Sequence, residues 1–519
     1  MAPRVSLRRC FLALLGLTCF LFLVLNVHQK EAWARSLAAI QQQVLDRRRA
    51  KEMSSSDDTA KVSPEVTPSS GSDQSKDSTF KTSNSDSNKL QGHQKTQVTH
   101  QAPLPDLSSR PWFMAGGERR PVPARRGRSG RRLAHLWPAE DPNSDRVSDQ
   151  LMFVPPIALA NESSTWREQQ SEGTRSQQPL KRIVLYNGLS SWNVKSGRDV
   201  FLTNKCPVDT CTITTNKAEV TEAEAVLFKD HFPSQANPWR RPPHQVWILY
   251  FLECPYHTQH VKYSDLFNWT ATYRRDSDLV APYERWTYFD EKAKRQPPGS
   301  QAASINYAAN KTKQVAWFVS NCGARNNRLQ YARELSKYIS VDVYGACGTK
   351  KCPRTTANKC FEMLDKDYKF YLAFENSNCK DYITEKFFVN GLGHNVIPIV
   401  MGARPEDYEK SAPLKSYIHV DEFATPRELA AYLHRLDADD ELYNEYFRWK
   451  GTGEFINTYF FCRLCALLND PEMPHKSYRD VNDWWRGPGT CITGSWRQHR
   501  PPQPSLAPHA LTVAANDTL

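Results

Sequence analysis

From residue 181 onwards, short apolar runs alternate with amphipathic helical patterns, and this alternation limits the folds that the chain can adopt. The apolar runs are nearly continuous, which is typical of parallel strands covered on both faces. Parallel strands need helical crossovers, so the pattern predicts an α/β protein. The predicted strands are 183–188, 225–229, 245–253, 315–321, 341–345, 370–376, 396–402 and 417–423, with helices that include 327–339 and 426–436.

A break rich in Pro, Gly and Ala at 296–313 divides these elements into two halves, each of the size of a Rossmann-like domain. We therefore expect two domains, 181–300 and 313–470, that face each other across a cleft and are followed by a tail at 471–519. Ligands of such sheets bind at the carboxyl ends of the strands. The chain has no GxGxxG or GxxxxGK[ST] motif, which argues against a simple dinucleotide enzyme and a P-loop kinase.

The first 180 residues lack a core-forming pattern and are predicted to serve location. Residues 10–27 form an uncharged apolar run of 18 residues, long enough to span a bilayer as a transmembrane signal-anchor. Positive charge in the segment 1–9 predicts that this segment is a cytosolic tail. A cleaved signal peptide is the alternative, but the residues after the run make a poor cleavage site. Residues 28–180 are predicted to be a largely disordered stem, in which a heptad-like stripe at 33–44 could pair two chains into a homodimer.

The formal net charge of +12 does not indicate nucleic-acid binding. Much of the excess positive charge lies at 118–132, where Pro and Gly interrupt the run and no aromatic residues interleave it. We therefore expect no nucleic-acid partner.

The cysteines and sequons indicate an oxidising, secretory compartment. Eleven of the thirteen cysteines follow residue 205, and because eleven is odd, at least one thiol stays free or pairs between chains. A zinc site at CRLC (462–465) lacks a second ligand pair at finger spacing. The spacing favours three local bridges, Cys206–Cys211, Cys347–Cys352 and Cys462–Cys465. The predicted glycosylation sites are Asn161, Asn268 and Asn310.

Polar residues are concentrated after the predicted strand 370–376, in the stretch FENSNCKDYITEK. Thr384 is predicted to cap a helix that begins at Glu385. The positive end of a helix attracts phosphate, and Lys386 in the first turn adds a full charge. A first turn normally favours acidic residues, so this lysine suggests an anionic ligand; a surface lysine without a role is the alternative.

A second cation is predicted after the strand 315–321, which ends in Ser320 and Asn321. The guanidinium group suits bidentate contact with phosphate. Arg325 and Arg328 both lie near the opening of the next helix, and spacing alone does not choose between them.

Carboxylates follow the strands of the first half. Glu253 ends an apolar run just before Pro255, where a desolvated glutamate could accept a proton from a hydroxyl. A structural carboxylate that caps a loop is the alternative. Asp276 and Asp278 resemble the DxD pattern that holds a divalent ion against a diphosphate, but the flanking arginines oppose a cation and favour a metal-free site.

These segments together resemble the Golgi α1,3-fucosyltransferase family. The stretch 374–403 resembles the donor-site motif of that family, 273–283 resembles its SYRxDSDxxxPY loop, and LECPYHTQH resembles its LESPxH segment, with Cys254 in place of the serine. The resemblance covers 183–470 and implies a GT-B fold. The stretches SNCGARNNRLQ and CRLC resemble the plant and invertebrate enzymes that fucosylate the N-glycan core.

The resemblance implies inverting transfer of L-fucose from GDP-β-L-fucose in α1,3 linkage to a GlcNAc of N-glycans, first of all the Asn-linked core GlcNAc. A Lewis-type enzyme acting on terminal lactosamine and a non-catalytic lectin-like protein are the alternatives. A single-pass type II protein of the Golgi cisterna membrane with a lumenal catalytic domain is implied, as is a reaction that requires no metal, with Mn²⁺ or Mg²⁺ at most stimulating it. The implied site is Glu253 as general base, with Ser320, Asn321, Arg328, Glu375, Asn376, Tyr382, Glu385 and Lys386 at the donor.

Overall fold

The computed structural model describes residues 108–122, 135–156, 179–190, 192–232, 241–295 and 305–499. Within these ranges no helix is both long and apolar enough to cross a membrane. The predicted anchor at 10–27, the stripe at 33–44 and the sequon at Asn161 lie outside the described residues.

The strands are β1 Lys181–Leu185, β2 Cys211–Thr214, β3 Ala225–Lys229, β4 Val246–Phe251, β5 Trp269–Thr272, β6 Leu279–Val280, β7 Arg285–Tyr288, β8 Lys313–Phe318, β9 Val341–Tyr344, β10 Tyr368–Phe374, β11 Asn378–Cys379, β12 Ile397–Met401, β13 Ile418–His419, β14 Gly453–Ile456 and β15 Cys491–Ile492. The helices are α1 Arg146–Leu151, α2 Asp199–Thr203, α3 Glu291–Arg295, α4 Arg328–Leu335, α5 Ala357–Asp367, α6 Glu385–Phe387, α7 Pro405–Ser411, α8 Pro426–Ala438, α9 Asp440–Asn444, α10 Phe460–Leu468 and α11 Val481–Arg486.

The first sheet has six strands in the order β2-β1-β3-β4-β5-β6, and all its pairs are parallel. Every residue of β4 is buried, because its VWILYF sequence supplies apolar or aromatic side chains to both faces of the sheet. Side chains at alternate positions of the strands therefore enter two separate cores.

The second sheet has five parallel strands in the order β13-β12-β10-β8-β9. Helices α4 and α8 pack on one face, whereas α5, α6 and α7 pack on the other. From β8 the chain moves outward to β9, and from β10 it moves in the opposite direction to β12. This reversal opens a crevice at the carboxyl ends of β8 and β10, the position where ligands of such sheets bind.

Two parallel α/β sheets confirm the fold class predicted from the apolar runs. The last predicted strand, 417–423, is wrong in extent, because only Ile418 and His419 pair with β12. A 3-10 turn at Val420–Glu422 follows, and the His419 side chain caps it by accepting the amide hydrogen of Asp421. The side-chain cap ends the strand early.

The prediction of a largely disordered stem over 28–180 is wrong for the segments 108–122 and 135–156. These segments pack on the first sheet; for example, the Trp137 ring lies 4.9 Å from that of the fully buried Trp269. The segments contain too few apolar residues in any regular period to reveal a core-forming element. The large apolar side chains that they bury are Trp112, Phe113, Met114, Leu136, Trp137, Val147, Leu151, Phe153 and Val154.

The predicted end of the second domain at residue 470 is also wrong. The chain returns to the first half at β14, which pairs with β7, and α10 then packs into the core of the first sheet. Residues 471–499 are not a separate tail, because β15 pairs with β11 and Trp485 is fully buried. The second sheet is thus inserted between β7 and β14.

All six predicted disulfide cysteines are bonded, but the predicted local pairs are wrong. The bonds are Cys206–Cys462, Cys211–Cys465, Cys322–Cys347, Cys352–Cys360 and Cys379–Cys491. The two cysteines of α10 lie three residues apart on one helix face, so they meet Cys206, which precedes β2, and Cys211, which begins it, side by side. The two cysteines of each predicted pair therefore belong to two different bridges and are not bonded to each other. Cys254 is the free cysteine of the described residues.

Two of the predicted sequons lie among the described residues, and their asparagines differ in exposure and in hydrogen bonding. Asn310 is exposed, and its prediction as a glycosylation site stands. Asn268 is half-buried; its Nδ2 donates to the Lys476 carbonyl at 2.9 Å, and its Oδ1 accepts from the Trp247 amide at 2.8 Å. The nitrogen that would carry a glycan is thus hydrogen-bonded within the fold, and glycosylation of Asn268 stays a prediction.

Candidate active site

Glu253 lies two residues beyond β4, where the ends of the two sheets meet. Its Oε1 accepts hydrogen bonds from the Tyr382 hydroxyl at 2.6 Å, the Asn376 Nδ2 at 3.2 Å and the Cys254 amide at 2.8 Å. Asn376 and Tyr382 both lie between β10 and α6, on either side of the short strand β11. The predicted base and the predicted donor motif therefore share one hydrogen-bonded cluster.

The hydrogen bonds keep Glu253 ionised. Burial raises the pKa of Glu253, but hydrogen bonds from His257, Tyr382, the Cys254 amide and Asn376 outweigh it and lower the pKa to about 2. The donor atoms of Tyr382, Asn376 and Cys254 lie at Oε1, as does His257 Nδ1 at 3.7 Å, and the Glu253 side chain is 44% exposed. Oε2 is therefore the oxygen available to a ligand in the cleft.

His257 reinforces the negative charge of Glu253. Its Nδ1 lies 3.3 Å from the Cys254 sulfur and 3.7 Å from Glu253 Oε1. Contacts with Cys254 and then Glu253 raise the pKa of His257 to about 10, against the opposing effect of partial burial. A protonated imidazolium thus faces the carboxylate at neutral pH.

A second cluster surrounds Lys386 on the other sheet. The Lys386 ammonium lies 3.1 Å from the carboxylates of both Glu375 and Glu385 and 2.9 Å from the Thr384 hydroxyl. Glu375 is fully buried, and this burial raises its pKa although Lys386 opposes the effect. Lys386 and Glu385 remain 22% and 26% exposed, so both can meet a ligand in the crevice.

The predicted cap at Thr384 is confirmed, but the helix that it caps is short. Thr384 accepts the amide hydrogen of Lys386 and donates its own hydroxyl hydrogen to Glu375. Helix α6 has three residues and passes into a π-helical turn at Phe388–Leu392. The attraction for phosphate expected of a long helix is therefore small here, and the Lys386 charge is the main attractive feature.

Gly402 is required for the position of Glu375. A Cβ atom at residue 402 would lie 2.5 Å from Glu375 Cγ, closer than any side chain allows. The Gly402 carbonyl also accepts a hydrogen bond from Trp496 Nε1 at 3.0 Å. The end of β12 and the C-terminal segment thus hold the buried carboxylate from behind.

The two arginines after β8 occupy different places. Arg328 is buried, with its guanidinium donating to the carbonyls of Phe374 at 2.7 Å and Asn321 at 3.1 Å. Its Nε has no hydrogen-bond partner among the described residues. Arg325 is exposed and lies 4.9 Å from the ring centre of Tyr256, which belongs to the turn after Glu253. Arg328 therefore joins the ends of β8 and β10, whereas Arg325 reaches toward the first sheet.

Ser320 and Asn321 lie exposed at the end of β8, as predicted. The disulfide Cys322–Cys347 ties this loop to the residues after β9. Asn326, which the sequence did not single out, donates to the Glu375 carbonyl and to Asn378 Oδ1, both at 2.9 Å. The loops after β8 and β10 are thus linked across the crevice.

The carboxylates of the DSD stretch are paired with protein cations. Asp276 contacts Arg274 at 2.6 Å and Lys380 at 3.0 Å, and its pKa falls to about 2 because these contacts outweigh burial. Asp278 is fully buried and contacts Lys476 at 2.5 Å. The pairing favours a structural role for this loop over a role in metal binding.

Comparison with known proteins identifies the family. The model described as "Glycosyltransferase family 10 (fucosyltransferase) C-term" matches residues 308–484, and "Fucosyltransferase, N-terminal" matches 179–284. The chain is 60% identical over 397 residues to "Glycoprotein 3-alpha-L-fucosyltransferase A" of Drosophila melanogaster, which covers 75% of each chain. The chain belongs to glycosyltransferase family 10. This assignment confirms the resemblance inferred from the motifs, and the chain is a fucosyltransferase.

Two further comparisons of this family 10 enzyme give lower sequence identity. It is 37% identical over 288 residues to human "3-galactosyl-N-acetylglucosaminide 4-alpha-L-fucosyltransferase FUT3", covering 53% of this chain and 75% of the relative. Among solved structures it is similar to "Crystal Structure of alpha1,3-Fucosyltransferase with GDP-fucose", with a TM-score of 0.38 and 17% identity over 62% of this chain and 97% of that one.

Sequence reasoning missed the contribution of the C-terminal segment to this family 10 enzyme. The Gly494 carbonyl accepts from Asn378 Nδ2 at 2.6 Å, and Cys491 is bonded to Cys379 in the donor motif. Trp485 of α11 supports the loop after Glu253 through a 2.8 Å bond to Thr258. The cysteine at 491 and the run of tryptophans before it were the available signals.

Proposed function

We propose that this enzyme transfers L-fucose from GDP-β-L-fucose in α1,3 linkage to a GlcNAc of N-glycans, and that the preferred acceptor is the Asn-linked core GlcNAc. The observation that carries the proposal is the hydrogen-bonded cluster in which Glu253 of one sheet meets Tyr382 and Asn376 of the other. The 60% identity to a glycoprotein 3-α-L-fucosyltransferase supports the choice of acceptor.

The proposed reaction is a single displacement at C1 of fucose. Glu253 Oε2 accepts the proton of the acceptor hydroxyl while the oxygen of that hydroxyl forms the new bond to C1 on the face opposite the phosphate. The bond between C1 and the β-phosphate oxygen breaks, and GDP carries the electron pair away. Attack from the opposite face inverts the anomeric centre, so one carboxylate base is sufficient.

Lys386 and Glu385 are proposed to hold the donor at the crevice between β8 and β10. The Lys386 ammonium stabilises the charge that develops on the leaving diphosphate, and Glu385 accepts hydrogen bonds from ribose hydroxyls. Glu375 and Thr384 position Lys386. Arg325 is the exposed arginine on this edge, whereas Arg328 can reach a phosphate only through its unpartnered Nε or after a change in its carbonyl contacts.

The enzyme is also proposed to be a type II protein of the Golgi membrane, anchored by residues 10–27, with its catalytic part in the lumen. Five disulfides among the described residues fit an oxidising compartment. No metal is proposed to be required, because Asp276 and Asp278 are paired with cations.

The test is transfer from GDP-fucose to a core glycopeptide in the presence of EDTA, with the linkage of the product determined by mass spectrometry. Fucose α1,3-linked to the Asn-bound GlcNAc is the expected product. Transfer only to terminal lactosamine would instead favour a Lewis-type enzyme, and binding without transfer would favour a lectin-like protein. Loss of transfer in EDTA that manganese restores would contradict the metal-free proposal.

The pH dependence tests the hydrogen bond between Tyr382 and Glu253. A base with a pKa of about 2 stays ionised as pH falls, so the wild-type kcat/KM is expected to lose no activity through this group above about pH 4. Tyr382→Phe removes a donor that lowers the pKa of Glu253, and its acid limb is expected to move to higher pH. The measurement is kcat/KM against pH at saturating donor.

Tyr283→Phe is the matched control for this experiment, because the Tyr283 hydroxyl donates to the Leu252 carbonyl at 2.9 Å rather than to Glu253. Its acid limb should match that of the wild type. Equal shifts in both variants would mean that loss of a buried hydroxyl, rather than the bond to Glu253, changes the profile.

A further inference from the structure

Glu253, Cys254 and His257 form a group of three potential metal ligands. Their sulfur, imidazole nitrogen and carboxylate oxygen all lie within 4.8 Å of one another. Among the described residues, this is the cluster of such atoms that is close enough to hold one ion. The group departs from the family segment because a cysteine follows the glutamate where the usual residue is serine.

The local backbone brings these three atoms together. Pro255–His257 form a 3-10 turn, and Cys254 precedes its first residue. Side chains three residues apart lie above one another in a 3-10 turn, so Cys254 and His257 point in the same direction. The measured distances are 3.3 Å from Cys254 Sγ to His257 Nδ1 and 3.7 Å from that nitrogen to Glu253 Oε1.

These distances fit the edges of a tetrahedral zinc site. Zinc–ligand bonds of about 2.3 Å to sulfur and about 2.0–2.1 Å to nitrogen and oxygen place ligand atoms roughly 3.3–3.6 Å apart at tetrahedral angles. Two of the three edges are therefore within a few tenths of an ångström of these values, and the third, from the sulfur to a carboxylate oxygen, is no longer than 4.8 Å. Thiolate and imidazole ligands favour Zn²⁺ over Mg²⁺ or Mn²⁺, which prefer oxygen ligands.

The surroundings provide support on one side and access on the other. The Ser377 hydroxyl lies 3.1 Å from Cys254 Sγ and can donate to a thiolate, while Tyr382 donates to the ligand carboxylate. Cys254 is buried, but the side chains of His257 and Glu253 are 37% and 44% exposed. An ion can enter from the cleft, and a water molecule can fill the fourth position.

We propose that Glu253, Cys254 and His257 bind one Zn²⁺ ion, with release of the protons of the Cys254 thiol and the His257 imidazolium to solvent, and that this ion inhibits fucosyl transfer reversibly. The bound ion occupies the carboxylate that must accept the proton of the acceptor and withdraws electron density from it. Inhibition rests on the proposed role of Glu253 as the base, whereas binding of the ion does not. The two parts can therefore be tested separately.

Binding is tested with Co²⁺ as a spectroscopic substitute for Zn²⁺, using the full chain purified in detergent and freed of metal with a chelator. The wild type is expected to develop a sulfur-to-cobalt charge-transfer band that Zn²⁺ abolishes. Cys254→Ser, which keeps the size of the side chain, is expected to lose this band. The other cysteines of the chain are unchanged in this variant, so a band of equal strength there would place the metal elsewhere and overturn the proposal.

His257→Gln provides a second variant for the binding test. It is expected to weaken Zn²⁺ binding, measured by titration calorimetry, by more than the roughly 10- to 100-fold that loss of an outer hydrogen-bond partner costs. Thermal melts of each variant without metal establish that it is folded. Unchanged Zn²⁺ affinity in folded His257→Gln would overturn the assignment of this ligand.

Inhibition is measured as the fraction of each variant's own metal-free activity that remains at increasing Zn²⁺. Wild-type transfer is expected to fall as Zn²⁺ fills the site from which it displaces Co²⁺. Cys254→Ser is expected to require at least about tenfold more Zn²⁺ for the same fractional inhibition. Tight zinc binding without inhibition would contradict the role of Glu253 as base, not the metal site. Equal inhibition of both proteins would refute the inhibitory site.

Discussion

Glu253→Gln is expected to lower kcat by roughly 10²–10⁴-fold, the contribution of a positioned general base, while GDP affinity stays nearly unchanged. The glutamine carbonyl oxygen can still accept the hydrogen bonds of Tyr382 and Asn376, so the cluster between the sheets is retained. The amide cannot accept the proton of the acceptor. Steady-state kinetics give kcat, and calorimetric titration gives the affinity for GDP.

Lys386→Ala is the contrasting variant. Loss of a charged hydrogen-bond donor is expected to weaken GDP binding by roughly 10- to 100-fold and to slow transfer as well. The same change leaves the buried Glu375 without its cation, so a thermal melt must accompany the kinetics. If Glu253→Gln kept most of its turnover, or lost GDP binding as Lys386→Ala does, the two residues would not have the separate roles proposed.

A chain that begins at residue 181 is expected to lose all transferase activity and to aggregate, whereas a chain that begins at Leu107 should be soluble and active. The described segments before 181 bury nine large apolar side chains against the first sheet. At about 1.5–3 kcal/mol each, their burial is comparable to or larger than the whole stability of a typical domain, about 5–15 kcal/mol, although the cost of ordering the segments offsets part of it. Secreted yield, size-exclusion profile and specific activity provide the measurement.

Buried polar groups make the same deletion more damaging. Gln150 donates to the Asp278 carbonyl at 2.8 Å and accepts from Arg463 at 3.0 Å, and both Gln150 and Arg463 are 1% exposed. Without the segment, the Arg463 guanidinium loses a partner inside the protein. A chain starting at 157 serves as the control, because it keeps residues 157–180 but lacks the packed segments. It should fail as the 181 chain does; a soluble, active 181 chain would refute this account.

The strands were predictable where burial alone determines the residue types. The runs that became β4 and β10 supply mainly apolar and aromatic side chains to both faces of their sheets, as parallel strands covered on both sides require. The segments around Trp112 and Trp137 were not predictable, because they bury isolated side chains from irregular backbone and therefore produce no period. The return of the chain at α10 was hidden for a different reason: an apolar helix does not indicate which of two sheets it covers.

The sequence predicted which strand ends carry the site residues. Glu253 and the residues of the donor motif follow β4 and β10, and parallel strands bring their carboxyl ends to one edge. The partners of each side chain were not predictable, since they depend on how the two sheets face each other. Spacing left Arg325 and Arg328 equivalent, and the structure separates them because the start of α4 directs Arg328 into the protein.

The position of α10 along the chain also affects how this enzyme folds during its synthesis. The first sheet is synthesised early, but the helix that completes its core, with Cys462 and Cys465, leaves the ribosome more than 250 residues after their partners Cys206 and Cys211. Until then the sheet exposes apolar surface and two thiols, which the oxidising compartment proposed for this enzyme would oxidise. The inserted second sheet can fold in that interval, so a variant that slows its folding prolongs the exposure of the first. Defects in the second sheet should therefore appear in the cell as mispaired cysteines of the first.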